Sequence, residues 1–136
     1  MNSMNLPKNI FLVEDDPEDQ LFFIEAISQI KNAILYGVAS NGKEALDVLE
    51  NSVNLPEIIF LDINMPLMNG IECLTEIMKN PKIKNIPVVI FTTEIGQMEL
   101  ARKLGAKAIV KKTYDGKILR KQLEEVINSD FIAESQ

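Results

Sequence analysis

Apolar residues gather in five short runs, at positions 10–13, 33–36, 58–61, 88–91 and 106–110. The first, third and fourth are almost unbroken, the pattern of strands covered on both faces in a parallel sheet. The second and fifth are mixed, as befits strands away from the sheet's centre. Between the runs, apolar residues recur at helical spacing. Asp16-Pro17-Glu18 supplies an acidic cap, a proline at the first helical position and an acid in the first turn. Phe23, Ile24, Ile27 and Ile30 then form one stripe. Asn41-Gly42 precedes a second stripe through Ala45, Leu46, Val48 and Leu49. Asn69-Gly70 precedes a third through Ile71, Leu74, Ile77 and Met78, which Pro81 ends. Residues 97–104 predict a short fourth helix closed by Gly105. Leu119, Gln122, Leu123, Val126 and Ile127 predict a fifth, followed by a polar, frayed tail from Ser129. Strand and helix alternate five times, which predicts a doubly wound α/β domain with a parallel sheet. No linker or low-complexity tract breaks the alternation. Residues 1–136 are therefore expected to form a single domain with its core at 8–128 and short polar tails.

Composition narrows the chemistry. The single cysteine, Cys73, rules out an internal disulfide and cysteine-pair zinc sites. The chain has no histidine, which removes a Ser-His-Asp triad, a Cys-His pair and a His-ligated metal. Any metal must be a hard cation on oxygen ligands. The net charge of −6 disfavours binding to nucleic-acid phosphates. That charge is uneven: carboxylates dominate residues 1–76 and lysines the remainder. No apolar stretch is long enough for a membrane span. The N-terminal MNSMNLPKN lacks the apolar core of a signal peptide, so a cytoplasmic location is expected.

In an open α/β sheet, ligands bind beyond the carboxyl ends of the strands. Glu14, Asp15 and Asp16 follow the first run, and Asp62 follows the third. The fourth ends in Thr92 and Thr93, with Glu94 next, and the fifth runs into Lys111 and Lys112. Each feature has a plain explanation alone. Asp16, Glu18 and Asp19 are helix-cap and first-turn acids, a strand-end Asp is a turn residue, and a Thr or Lys pair is β-propensity or solvated charge. Together they bring carboxylates, a hydroxyl and an ammonium to one edge. Clustered carboxylates repel unless a cation compensates, and Mg²⁺ is the natural one. Such a site suits a phosphoryl group, which an aspartate can also carry covalently.

Four blocks in order resemble the receiver domain of two-component response regulators, the CheY-like fold. They are Leu12-Val-Glu-Asp-Asp-Pro17, Leu61-Asp-Ile-Asn-Met-Pro66 with Gly70 beyond it, Pro87-Val-Val-Ile-Phe-Thr-Thr93, and Gly105-Ala106 followed by Lys112. The resemblance implies a flavodoxin-like sheet of strand order 2-1-3-4-5. It implies that Asp62 is the phosphoacceptor, taking its phosphoryl group from a sensor histidine kinase. Asp15 would bind Mg²⁺ directly, Glu14 would support it through water, and Asp62 and the Asn64 carbonyl would complete the protein's share. Thr92 would hydrogen-bond the phosphoryl group and Lys112 would pair with it, with Lys111 the alternative lysine. Asn64 and Glu94 stand where the family tunes loss of the phosphoryl group. Three departures are visible. Thr113 follows Lys112 where the family usually has proline, which leaves open whether that peptide is cis or trans. Ile109 replaces a frequent aromatic switch residue. The stretch from Thr92 to Gly105 is shortened.

The resemblance further implies a stand-alone receiver with no catalysis beyond its own phosphorylation and dephosphorylation. It would signal by protein contact or phosphorelay, as a monomer or weak homodimer. The side formed by helix 4, strand 5 and helix 5 would meet an unknown downstream protein; Lys103, Lys107, Lys117, Arg120 and Lys121 make it basic. The alternative is a pseudo-receiver that binds partners without phosphorylation. A flavodoxin-like cofactor binder would need glycine and hydroxyl residues where Glu14–Asp19 stand, and an aspartyl-phosphate phosphatase would need an acid where Asn64 stands.

Overall fold

The computed structural model describes residues 6–129. Met1–Asn5 and the tail beyond Ser129, read above as polar termini, lie outside the described residues. Five strands, β1 (Lys8–Val13), β2 (Ala33–Ala39), β3 (Ile58–Leu61), β4 (Val88–Thr92) and β5 (Ala108–Lys111), alternate with α1 (Pro17–Ser28), α2 (Gly42–Asn51), α3 (Gly70–Lys79), α4 (Met98–Lys103) and α5 (Gly116–Ile127). All pairings are parallel, in the order β2-β1-β3-β4-β5. The unbroken apolar runs are the three central strands and the mixed runs are the two edges, as their composition implied.

Alternation along the central strands builds two cores. Phe11, Val13, Ile59, Leu61, Val88 and Ile90 point to one face, where Leu49 of α2, Leu74 and Ile77 of α3 and Ala101 of α4 cover them. Ile10, Leu12, Ile58, Phe60, Val89 and Phe91 point to the other, against Phe23 and Ile27 of α1 and Leu119, Leu123 and Ile127 of α5. Phe23 packs edge-on against both Phe60 and Phe91, with centroids 5.1 and 5.4 Å away.

Side chains cap the starts of α1, α2, α3 and α5. Asp16 accepts from the amides of Glu18 and Asp19, Asn41 from Glu44, and Asp115 from Lys117 and Ile118. Asn69 and Glu72 close a reciprocal capping box. Several boundaries differ from the sequence reading, and the second strand runs on past Tyr36 to Ala39. The fifth strand begins at Ala108, not 106, because the Ala106 amide bonds back to Ala101 O and ties that residue to the end of α4. The fourth helix is only Met98–Lys103, preceded by a 3₁₀ turn at Ile95–Gln97, since Gln97 provides no side-chain cap. Gly105, at φ +121°, closes it.

Candidate functional site

The carboxyl ends of β1, β3, β4 and β5 open on one edge, and pairing sets what stands there. Val13 lies opposite Leu61, and the Asp62 amide donates to Val13 O at 3.0 Å. Glu14 and Asp62 therefore leave the sheet side by side. Thr92 lies opposite Lys111, and the Lys112 amide donates to Thr92 O at 3.0 Å. The next residue along, Lys112, points into the site, while Lys111 is exposed. Lys112 is thus the lysine the fold selects. No peptide bond among the described residues is cis, so Lys112–Thr113 is trans.

The site is mostly buried. Glu14 and Thr92 are 0% exposed and Asp62 4%. The Lys112 ammonium stands among three carboxylates: 2.8 Å from Glu14 Oε1, 2.8 Å from Asp19 Oδ2 and 3.2 Å from Asp62 Oδ2. The contacts to Asp19 and Asp62 have hydrogen-bond geometry. The approach to Glu14 is an ion pair without it, so Glu14 Oε1 is a buried oxygen with no hydrogen-bond donor aligned on it. Burial pushes the Glu14 carboxyl up to about 7, with the Asp62 charge adding to the rise and Lys112 and the Asp16 amide opposing it. Burial alone would lower the Lys112 pKa. The hydrogen bond to Asp19, the close ion pair with Glu14 and the Asp62 charge outweigh it and hold the ammonium well above its ordinary value.

Glu14, Asp15 and Asp62 each offer a carboxylate oxygen within 4.8 Å of the others. All-oxygen donors of net negative charge, one of them lacking an aligned hydrogen-bond donor, fit a hard divalent cation and not a soft one. Asp62 Oδ1 accepts from the Ile63 amide at 2.8 Å, which fixes the carboxylate's rotation. Gly70 presses on the same loop. A Cβ there would lie 2.1 Å from Asp62 O and 2.7 Å from Ile63 Cα, so the close approach demands glycine. Thr92 Oγ1 accepts from the Glu94 amide at 2.9 Å. The exposed side chains of Asn64 and Glu94 meet across the mouth, Nδ2 to Oε2 at 2.9 Å. Ile109 is half-buried against the core beneath α2–α4.

Asp19 is the residue that the sequence reading placed among the cap acids. It is 6% exposed, holds Lys112, and accepts from Tyr114 Oη at 2.8 Å. The signal was in the helical period: Asp19 sits one turn before Phe23, on the stripe that faces the sheet.

The family model for the response regulator receiver domain matches residues 10–124. The chain therefore belongs to the receiver domains of two-component response regulators. The chemotaxis protein CheY homolog of Campylobacter jejuni is 31% identical over 93 residues, spanning 67% of this chain and 71% of that protein. The sensor histidine kinase CheAY of Helicobacter pylori is 28% identical over 86% of this chain, which corresponds to only 15% of the kinase. Among solved structures, the phosphorylated cyanobacterial phytochrome response regulator RcpA superposes with a TM-score of 0.77 at 28% identity, covering 88% of this chain and 91% of that one. The Mn(2+)-bound form of response regulator Rcp1 gives 0.73 at 30% identity, with the same coverage. No helix among the described residues is long and apolar enough to cross a membrane.

Proposed function

We propose that the chain is a single-domain response regulator that accepts a phosphoryl group on Asp62 in a Mg²⁺-dependent reaction. The observation that carries this is the meeting of Glu14, Asp15, Asp62, Thr92 and Lys112 at one sheet edge. A carboxylate oxygen of Asp62 attacks phosphorus of a phosphohistidine. The new O–P bond forms as the P–N bond breaks, and its electron pair returns to the imidazole nitrogen. The donor imidazole is that of a sensor histidine kinase, since residues 1–136 contain no histidine. Glu14, Asp15, Asp62 and the Asn64 carbonyl would hold Mg²⁺, which neutralises charge on the carboxylates and the incoming phosphoryl oxygens. Lys112 supplies a second positive charge and Thr92 a hydroxyl donor. Thr92 is tied to Glu94, and Glu94 to Asn64, so drawing Thr92 inward perturbs both loops at the mouth. The output is a shift in the population of conformations of the helix 4–strand 5–helix 5 face, read by a downstream protein. The protein acts in the cytoplasm and catalyses only its own phosphorylation and dephosphorylation.

The second reading, a pseudo-receiver, differs in one observable. A working site answers Mg²⁺ plus beryllofluoride with shifted amide resonances at Asp62, Thr92 and Lys112. A spectrum unchanged at millimolar metal and beryllofluoride overturns the proposal in favour of phosphorylation-independent binding.

A further inference from the structure

We propose that Asp19 is a positioning residue for Lys112, held in turn by the Tyr114 hydroxyl, so that the ammonium is aimed at Asp62 before a phosphoryl group arrives. The proposal rests on Asp62 phosphorylation as the function, and deepens it by naming what aims the lysine.

A lysine side chain is long and loses much rotamer freedom when fixed. Something must hold its tip if it is to act from one place. Of its three carboxylate neighbours, Glu14 and Asp62 belong to the acidic cluster that would take the cation. Asp19 stands outside that cluster, so a bound cation leaves it as an acceptor for Lys112.

Asp19 is itself well fixed. It lies in the first turn of α1, where its amide bonds the Asp16 cap at 3.2 Å and its carboxylate favours the positive end of the helix. Its Oδ2 faces Lys112 and its Oδ1 accepts from Tyr114 Oη, both at 2.8 Å. Both oxygens are therefore committed. The Tyr114 ring packs edge-on against Phe22 of α1, with centroids 5.2 Å apart, and this contact sets the direction of the hydroxyl. The Phe91 ring flanks the ammonium, its centroid 5.6 Å from Nζ. Lys112 and Tyr114 are two residues apart on one loop and grip the same carboxylate. Asp19 thus fastens the β5–α5 loop to α1 through the group that must meet the phosphoryl oxygens.

The test uses Asp19→Asn and Tyr114→Phe in the full chain, with two readouts. The first is the Lys112 ammonium signal in ¹H–¹⁵N NMR, recorded with no phosphodonor. The second is the rate of Asp62 phosphorylation by acetyl phosphate at saturating Mg²⁺. Expected are a resolved Lys112 signal in the wild type, its loss by fast exchange in Asp19→Asn, and its shift in Tyr114→Phe. The maximal rate should fall about tenfold in Asp19→Asn and about twofold in Tyr114→Phe. An Asp19→Asn protein with a lower Tm but an unchanged signal and rate would reduce Asp19 to a helix-terminal acid and overturn the proposal. A faster rate would overturn it too, since Asp19 would then be competing for the ammonium. If Asp19→Asn does not fold, Tyr114→Phe decides alone, and an unchanged signal and rate refute the proposal. A wild type that takes no phosphoryl group refutes the function, while the ammonium signal still reports on Asp19.

Discussion

Glu14 makes stability depend on pH in a direction opposite to that of most paired carboxylates. Its side chain is fully buried, and its carboxyl is raised from an ordinary 4.5 to about 7. Between those values the folded chain keeps a proton that the unfolded chain has released, so stability falls as pH rises through that window. Below it both states are protonated; above it both are ionised and the whole penalty is present. At ~1.4 kcal/mol per pH step, the penalty amounts to about 3 kcal/mol. Glu14→Gln removes the titration at nearly constant shape, and Lys112 keeps Asp19 and Asp62 as partners. In EDTA the wild type should therefore lose about 3 kcal/mol relative to Glu14→Gln between pH 5 and pH 8, or roughly 10 °C in Tm for a chain of this size. Mg²⁺ binds the ionised site, so millimolar Mg²⁺ should narrow the wild type's deficit at pH 8 and stabilise the variant less. Urea denaturation across that pH range, with and without Mg²⁺, measures all four curves. Parallel curves for the two proteins in EDTA would refute the reasoning, because Lys112 would then fully compensate the buried charge.

Two further substitutions probe the loop that carries Asp62. Gly70→Ala drives a methyl group into the Asp62–Ile63 backbone, against Asp62 O and Ile63 Cα, so the loop must shift. We expect a loss of about 3 kcal/mol or more by denaturation and weaker Mg²⁺ binding by calorimetry; wild-type values for both would show that the loop yields freely. Leu67 is 82% exposed at φ +66°, in a tight turn whose Met68 amide reaches Pro66 O at 2.7 Å. Leu67→Gly should stabilise the fold by about 0.5–1 kcal/mol without altering phosphorylation, since relief of the left-handed strain slightly exceeds the added freedom of the unfolded chain. A destabilised variant would mean that Leu67 makes a contact worth more than its strain.

The central strands were legible because burial on both faces leaves only apolar residues, and the first three helix starts because Asp16, Asn41 and Asn69 announce them. The placement of Asp62, Thr92 and the Lys111–Lys112 pair at one edge was legible because a parallel sheet delivers every strand end there; which lysine turns inward was not set by that argument. Asp19 was not, because capping already gave it a sufficient local reason to be acidic; its second role exists only once β5 and α5 bring Lys112 and Tyr114 over α1. Leu67 was equally hidden, since a leucine carries no sign of a left-handed turn. The start of β5 slipped because Ala106 is apolar and buried for the sake of α4, not the sheet.

Transfer of a phosphoryl group to Asp62 is tested most directly by intact mass after incubation with acetyl phosphate and Mg²⁺, beside an Asp62→Asn control and an EDTA control. The absence of tryptophan removes the usual fluorescence readout, which makes mass the sounder measure. The expected result is one phosphoryl group on the wild type with Mg²⁺, lost in EDTA and absent from Asp62→Asn. A phosphorylated Asp62→Asn protein, or a wild type that never gains the group, would contradict the assignment of Asp62 as phosphoacceptor.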